Sequence, residues 1–185
     1  MVTGATGLPP APKRQPARTT SWTALPNGKL PARGGTRPSV SHDIPQQQSS
    51  DNAPVELQER LFTEIAALPG VRTGASAISV PGARSFHLAP PRRGPDDAFI
   101  VPSAGEFAHL HPGYDGSLHL ALPPALAADL VAQGWGVAHP LAGVRLAPGM
   151  VMLFGPRDDA ELSTVCGVVA TSHAWASGHD IAEGH

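Results

Sequence analysis

Residues 105–122, GEFAHLHPGYDGSLHLAL, constrain the fold more than any other stretch of the chain. The segment PGYDG at 112–116 is a dense turn signal between two alternating arms. With both arms extended, the loop pairs His111 with Ser117 and His109 with His119. Side chains alternate across a strand. One face then carries Ala108, Leu110, Leu118, Leu120 and Leu122, and the other carries Phe107, His109, His111, Ser117 and His119. The leucine face is core. The opposite face brings three imidazoles within reach of each other, because directly paired side chains stand ~5 Å apart. Tyr114 and Asp115 lie on the adjoining loop, and parity excludes Glu106 from the histidine face.

Three readings of that face follow from the residues. It is a solvated sheet surface rich in histidine. Or it is a metal site, because neutral imidazoles are common ligands of zinc, iron and copper, and His109, His111 and His119 can supply three. Or it performs acid–base chemistry on an organic substrate, because imidazole titrates near neutrality and passes protons both ways.

Around the hairpin, the pattern predicts an α+β domain with a mostly antiparallel sheet and helices packed on one face. A helix is expected over 54–68, with Asn52 as its cap and Leu57, Leu61, Ile65 and Leu68 at helical spacing. Short strands are expected over 75–80, 84–89 and 98–101, separated by PGA and PPRRGPDD. A helix over 123–133, a strand over 150–154 and a helix over 158–176 complete the order. Residues 1–29 are rich in Pro, Gly, Thr and Ala with few large apolar side chains, and read as a disordered arm. Residues 30–52 read as an extended surface segment, and 53–178 as the folded domain.

Net charge is −2, so the whole chain gives no case for nucleic-acid binding. Through Asp43 six Lys and Arg face one acid, whereas the remainder carries seven Arg and 14 Asp and Glu. A basic arm docking on an acidic partner is therefore a non-catalytic alternative, testable by its salt sensitivity. Cys166, the one cysteine, excludes an internal disulfide, fits a reducing compartment and reads as a small buried apolar group on the last helix. No apolar run approaches the ~18 residues of a membrane span, and the first residues lack a secretory apolar core, so a cytoplasmic location is expected. The patterns GxSxG, GxGxxG and the P-loop are absent, which speaks against a serine-hydrolase elbow and nucleotide cofactors.

Further residues bear on a site. Trp135, in the turn GWG, either caps the core or stacks on a substrate. His139 in the following loop, and His87 on the strand after Phe86, can join the polar face. Arg157 and Arg37 either make surface ion pairs or hold an anionic group. His173, His179 and His185 are not expected to be ligands.

Several blocks together resemble one family. GTRP at 35–38 with His42 and Gln46, SFH at 85–87, AHLH at 108–111 with Asp115, LHLAL at 118–122, GWG at 134–136 with HPLAG at 139–143, and GPR at 155–157 are similar to the fungal luciferases and their bacterial relatives over about 150 residues. The resemblance implies a luciferase-like domain and oxidation of a hydroxylated pyrone, 3-hydroxyhispidin in the fungal enzymes, by molecular oxygen as co-substrate. It implies no flavin and no obligatory metal, because the electron-rich substrate itself reacts with oxygen; a divalent transition metal is the alternative. In such chemistry a base removes a substrate hydroxyl proton and donors hold the developing oxyanion or peroxide. The resemblance assigns base and donors to His109, His111 and His119, with Asp115 orienting an imidazole. His139, Trp135, Tyr114, His87, Arg157 and Arg37 become candidates for binding a small aromatic or pyrone-like substrate. The expected function is thus that of an oxygenase-like oxidoreductase or acid–base enzyme, without light emission. The fungal enzymes begin with a membrane-spanning segment where this chain has a polar Pro-rich arm, so a membrane location is not implied. Nothing in the residues specifies an oligomeric state.

Overall fold

The computed structural model describes residues 21–179 and Ile181. Six strands form one sheet: β1 (Val71–Ala75), β2 (Arg84–Leu88), β3 (Glu106–Leu110), β4 (Leu118–Ala121), β5 (Gly136–Ala138) and β6 (Met150–Leu153). Their spatial order is β1-β2-β3-β4-β6-β5, and every neighbouring pair is antiparallel. Helices α1 (Val55–Ala66) and α3 (Asp159–Ala176) pack against each other and cover one face, and α2 (Pro124–Ala132) packs by β5. The class is α+β, as the sequence pattern predicts.

The core lies between the sheet and α1 and α3. Leu110, Leu118 and Leu120 from the hairpin meet Leu61 and Ile65 from α1 and Val165 and Val168 from α3 there. Burial of each large aliphatic side chain is worth about 1.5–3 kcal/mol. Asp158 caps α3, its side chain accepting from the Glu161 amide at 2.8 Å. Helix α1 starts instead after Pro54 without a side-chain cap. Asn52 is used elsewhere: its amide donates to the carbonyls of Gln48 and Asp115.

Several boundaries differ from the sequence pattern. Residues 76–80 are a loop, because the Ser76 hydroxyl accepts from the amides of Ile78 and Ser79 and turns the chain. The strand expected at 98–101 is a 3₁₀ turn, Asp96–Ala98, followed by a single bridge from Val101 to Glu106. β5 has only three residues, too short for its period to show.

The amino-terminal boundaries also move. Residues 1–20 of the expected arm lie outside the described residues, whereas 21–29 are packed. Trp22 is 2% exposed and donates from its indole to Asp129 at 2.7 Å. Leu25 lies against Gly167 of α3, where even a methyl group would sit 2.3 Å from it. Residues 30–52 run mostly exposed over the surface, but Leu30, Pro38, Gln46 and Gln48 are buried. Polar composition there misleads because the side chains of Gln46 and Gln48 find buried partners in His119 and the Gly155 amide. The folded part also extends past residue 178, since Ile181 is buried and its carbonyl accepts from Ser21.

Candidate functional site

The hairpin pairs His109 with His119, and the His111 amide bonds the Ser117 carbonyl. The three rings are buried rather than solvated. Their centroids are 4.7 Å (His111–His119), 5.2 Å (His109–His119) and 5.5 Å (His109–His111) apart. His139, from the loop after β5, adds a fourth ring 5.0 Å from His119.

Each of the three hairpin imidazoles is braced from outside. His109 Nδ1 donates to Glu106 Oε1 at 2.8 Å. His111 Nδ1 donates to Asp115 Oδ2 at 2.7 Å. His119 Nε2 donates to Gln46 Oε1 at 3.2 Å. The Gln46 amide is oriented by its own NH₂, which donates to the Ala138 carbonyl. Asp115 also accepts from the Ser117 amide and hydroxyl and from the Gln48 amide, and so is held rigidly.

Glu106 is a correction. Strict alternation would turn it toward the helices, yet its carboxyl bonds His109, Ser76 and Ser85 on the histidine side. The cause is a β-bulge. β2 residues Phe86 and His87 pair with Ala108 and Glu106, which leaves Phe107 as an extra residue in β3. The bulge keeps Phe107 on the core face, against Phe86 and edge-on to His173. Phe107 is therefore not on the histidine face.

Burial pushes the His109 pKa down against the opposing pull of Glu106. Burial and the neighbouring imidazoles push His119 well down and His139 down. Burial opposes the Glu106 charge, but hydrogen bonds from His109, Ser76 and Ser85 prevail and hold its pKa below the usual value. Glu106 Oε2 has no hydrogen-bond partner among the described residues.

The rings open on a cavity of about 60 Å³, walled by Ile44, Pro45 and Gln46 on one side and Ile78, Ser79 and Val80 on another. Of the substrate-binding candidates, only His139 lines it. Trp135 is core: its indole donates to the Pro31 carbonyl and the Arg33 guanidinium lies over its ring. Tyr114 is 66% exposed and accepts from the Gln47 amide. Arg157 is tied to Glu161 and the Gly34 carbonyl, and Arg37 to the Val131 carbonyl. His87 sits beside Gly74 at the β1–β2 edge. Cys166 is half-buried on α3 outside this site, and burial pushes its thiol up to about 11.

Residues 104–172 match the family model of the luciferase domain. By that segment and by the relatives below, the chain is similar to the fungal luciferases. Over 159 residues it is 31% identical to the luciferases of Armillaria ostoyae and Neonothopanus nambi and 30% to that of Armillaria mellea, across 77% of this chain. It spans 59% of the length of these relatives. No solved structure matches it. Within the matched segment fall Glu106, the three hairpin histidines, Asp115 and His139; Gln46, Ser76 and Ser85 come from outside it. No helix among the described residues is long and apolar enough to cross a membrane.

Sequence reasoning missed Glu106 and Gln46 as partners of the rings. Glu106 was hidden by the bulge. Gln46 carried one signal, its place in the GTRP…Gln block of the family resemblance.

Proposed function

We propose that the protein is an oxidoreductase that brings molecular oxygen to a small hydroxylated aromatic or pyrone-like compound, with the histidine cavity as its working site. One observation carries this reading: imidazoles from two paired strands converge on a cavity, backed by buried carboxylates. The similarity to proteins named luciferase, whose chemistry is oxidative, supports it.

Removing a hydroxyl proton from such a substrate raises its electron density and favours electron transfer to oxygen. One of the hairpin rings takes that proton on its inward-facing lone pair, and the imidazolium so formed holds the resulting oxyanion. His139 Nδ1 accepts from the Leu141 amide, so the neutral ring carries its proton on Nε2. His139 is thus set to donate a hydrogen bond to reduced oxygen in the cavity. The cavity holds roughly two waters. The substrate ring therefore seats between the walls carrying Ile44 and Ile78, both more than half exposed, and only its hydroxyl and oxygen reach the imidazoles.

The test is oxygen uptake by purified protein, supplied in turn with iron, copper, manganese or zinc, against a panel of hydroxylated pyrones and phenols. Uptake with at least one compound, reduced at least about tenfold in His139→Gln, is expected, since a positioned donor to developing negative charge contributes about 10²–10³ in rate. No uptake with any compound under any metal condition would remove the reading.

A further inference from the structure

We infer that His109 Nε2, His111 Nε2 and His119 Nδ1 form a three-nitrogen site for a divalent first-row transition-metal ion, with Glu106, Asp115 and Gln46 as the outer partners of the rings.

Hydrogen-bond donors and acceptors decide the tautomers. Glu106 and Asp115 are carboxylates that accept from His109 Nδ1 and His111 Nδ1, so those nitrogens carry the ring protons. The Ala138 carbonyl only accepts, which fixes the NH₂ of Gln46 toward it and leaves Oε1 to accept from His119 Nε2. Each neutral ring is left with one lone pair, and the three lone pairs belong to the nitrogens named. One nitrogen from each ring lies within 4.8 Å of the others. His109 Nε2 and His119 Nδ1 stand 3.2 Å apart, both unprotonated when the rings are neutral. Two lone pairs at that distance repel unless something positive lies between or beside them. Two nitrogens bound to one tetrahedral ion at ~2.0–2.1 Å stand about 3.3 Å apart.

Charge points the same way. Glu106 and Asp115 are fully buried, and neither touches a Lys or Arg among the described residues. Two buried carboxylates without a cation are costly, and a divalent ion cancels both charges. A ring nitrogen donating outward to a carboxylate or carbonyl is how ligand histidines are commonly held. His139 is not a fourth ligand, because its Nδ1 accepts from a backbone amide and its Nε2 keeps the proton. It instead lines the same cavity, its ring 5.0 Å from that of His119.

The inference concerns the site rather than the oxidation proposed above, and its test reads binding. Full-length protein stripped with chelator and dialysed is titrated with cobalt(II), then with zinc(II) in competition, following the cobalt d–d absorption and the heat. The expected result is one ion per chain with cobalt bands of tetrahedral or five-coordinate intensity, and a rise in unfolding temperature. His111→Ala is expected to weaken binding at least about a hundredfold, and Glu106→Gln about tenfold to a hundredfold. His111→Gln, closer in volume, keeps the comparison available should the alanine variant not fold. No stoichiometric binding by the wild type overturns the inference; a proton shared by His109 and His119 then fills the gap. Binding unchanged in both His111 variants also overturns it, because the ion is held elsewhere. Metal bound without oxygen uptake sustains the site and removes the oxidase reading. Oxygen uptake with no metal bound does the reverse.

Discussion

Two buried ionic networks lie in this molecule, and they balance their charge in opposite ways. In the first, one carboxylate, Glu161 at the start of α3, is gripped by two guanidiniums. Arg33 reaches it at 2.9 Å with its side chain almost wholly buried, and Arg157 contacts it from the preceding loop. Arg33 also donates to the Gly155 carbonyl and Arg157 to that of Gly34, so the cluster pins residues 33–34 to the head of the last helix. In the second, Glu106 and Asp115 accept from His109 and His111, and among the described residues neither meets a guanidinium or ammonium. The first network is built from permanent charges, two cations on one anion, and does structural work. Among the described residues the second has anions and lone pairs but no permanent cation, which is what a site for a bound cation requires. Removing a member of the first should therefore cost stability and spare the site, whereas removing a member of the second should cost the site and spare the fold.

The largest effect expected from breaking this contrast is in the first network. Glu161→Ala leaves Arg33 buried without its partner and should lower unfolding stability by about 3–5 kcal/mol. A urea titration reads that loss, and metal affinity should stay at the wild-type value. A variant as stable as the wild type would show the network to be ornamental. In the second network, His111→Ala should lower oxygen uptake about a hundredfold or more with an unfolding midpoint, measured without metal, near that of the wild type. A collapse in apo stability would instead make the cluster structural.

The acid limb of stability sharpens the comparison further. Hydrogen bonds from Arg157 and Arg33 outweigh burial and hold Glu161 at about 2, below its ordinary 4.5. A depressed carboxyl pKa stabilises the fold above the unfolded-state value, and that contribution is lost as pH falls from about 4.5 toward 2. Roughly 2 kcal/mol should disappear across that window after screening is allowed for, and Glu161→Gln should flatten the limb. The smallest effect is expected from Ser85→Ala, which removes one of three donors to Glu106 Oε1. It should weaken cobalt binding by a few-fold, about 0.5–1.5 kcal/mol, with the stoichiometry unchanged.

The histidine hairpin was legible because its two periodicities agree. A turn of fixed length sets the register, and leucines on alternate positions fix which face is buried. That logic reached His109, His111, His119 and Asp115. It stopped one residue short, at Phe107, because hydropathy does not show a bulge, and a large apolar side chain can serve either face of a covered sheet. The strap carrying Gln46 and Gln48 was read as surface because polar composition says nothing about whether each amide has a partner waiting inside. Trp22 and Leu25 were lost in a Pro- and Gly-rich background, where two apolar side chains have no period. Arg37, Arg157 and Trp135 matched family blocks, yet their side chains tie the amino-terminal segment down; a shared motif carries scaffold as well as chemistry.

The amide that holds His119 belongs to the same stretch of chain that walls the cavity. A guest admitted by lifting residues 44–46 would therefore take Gln46 away from the ring as it arrived. His119 would lose the acceptor that fixes its proton on Nε2 and become free to exchange tautomers while the door stands open. Admission through that side and the tautomer of the ring would then be mechanically joined.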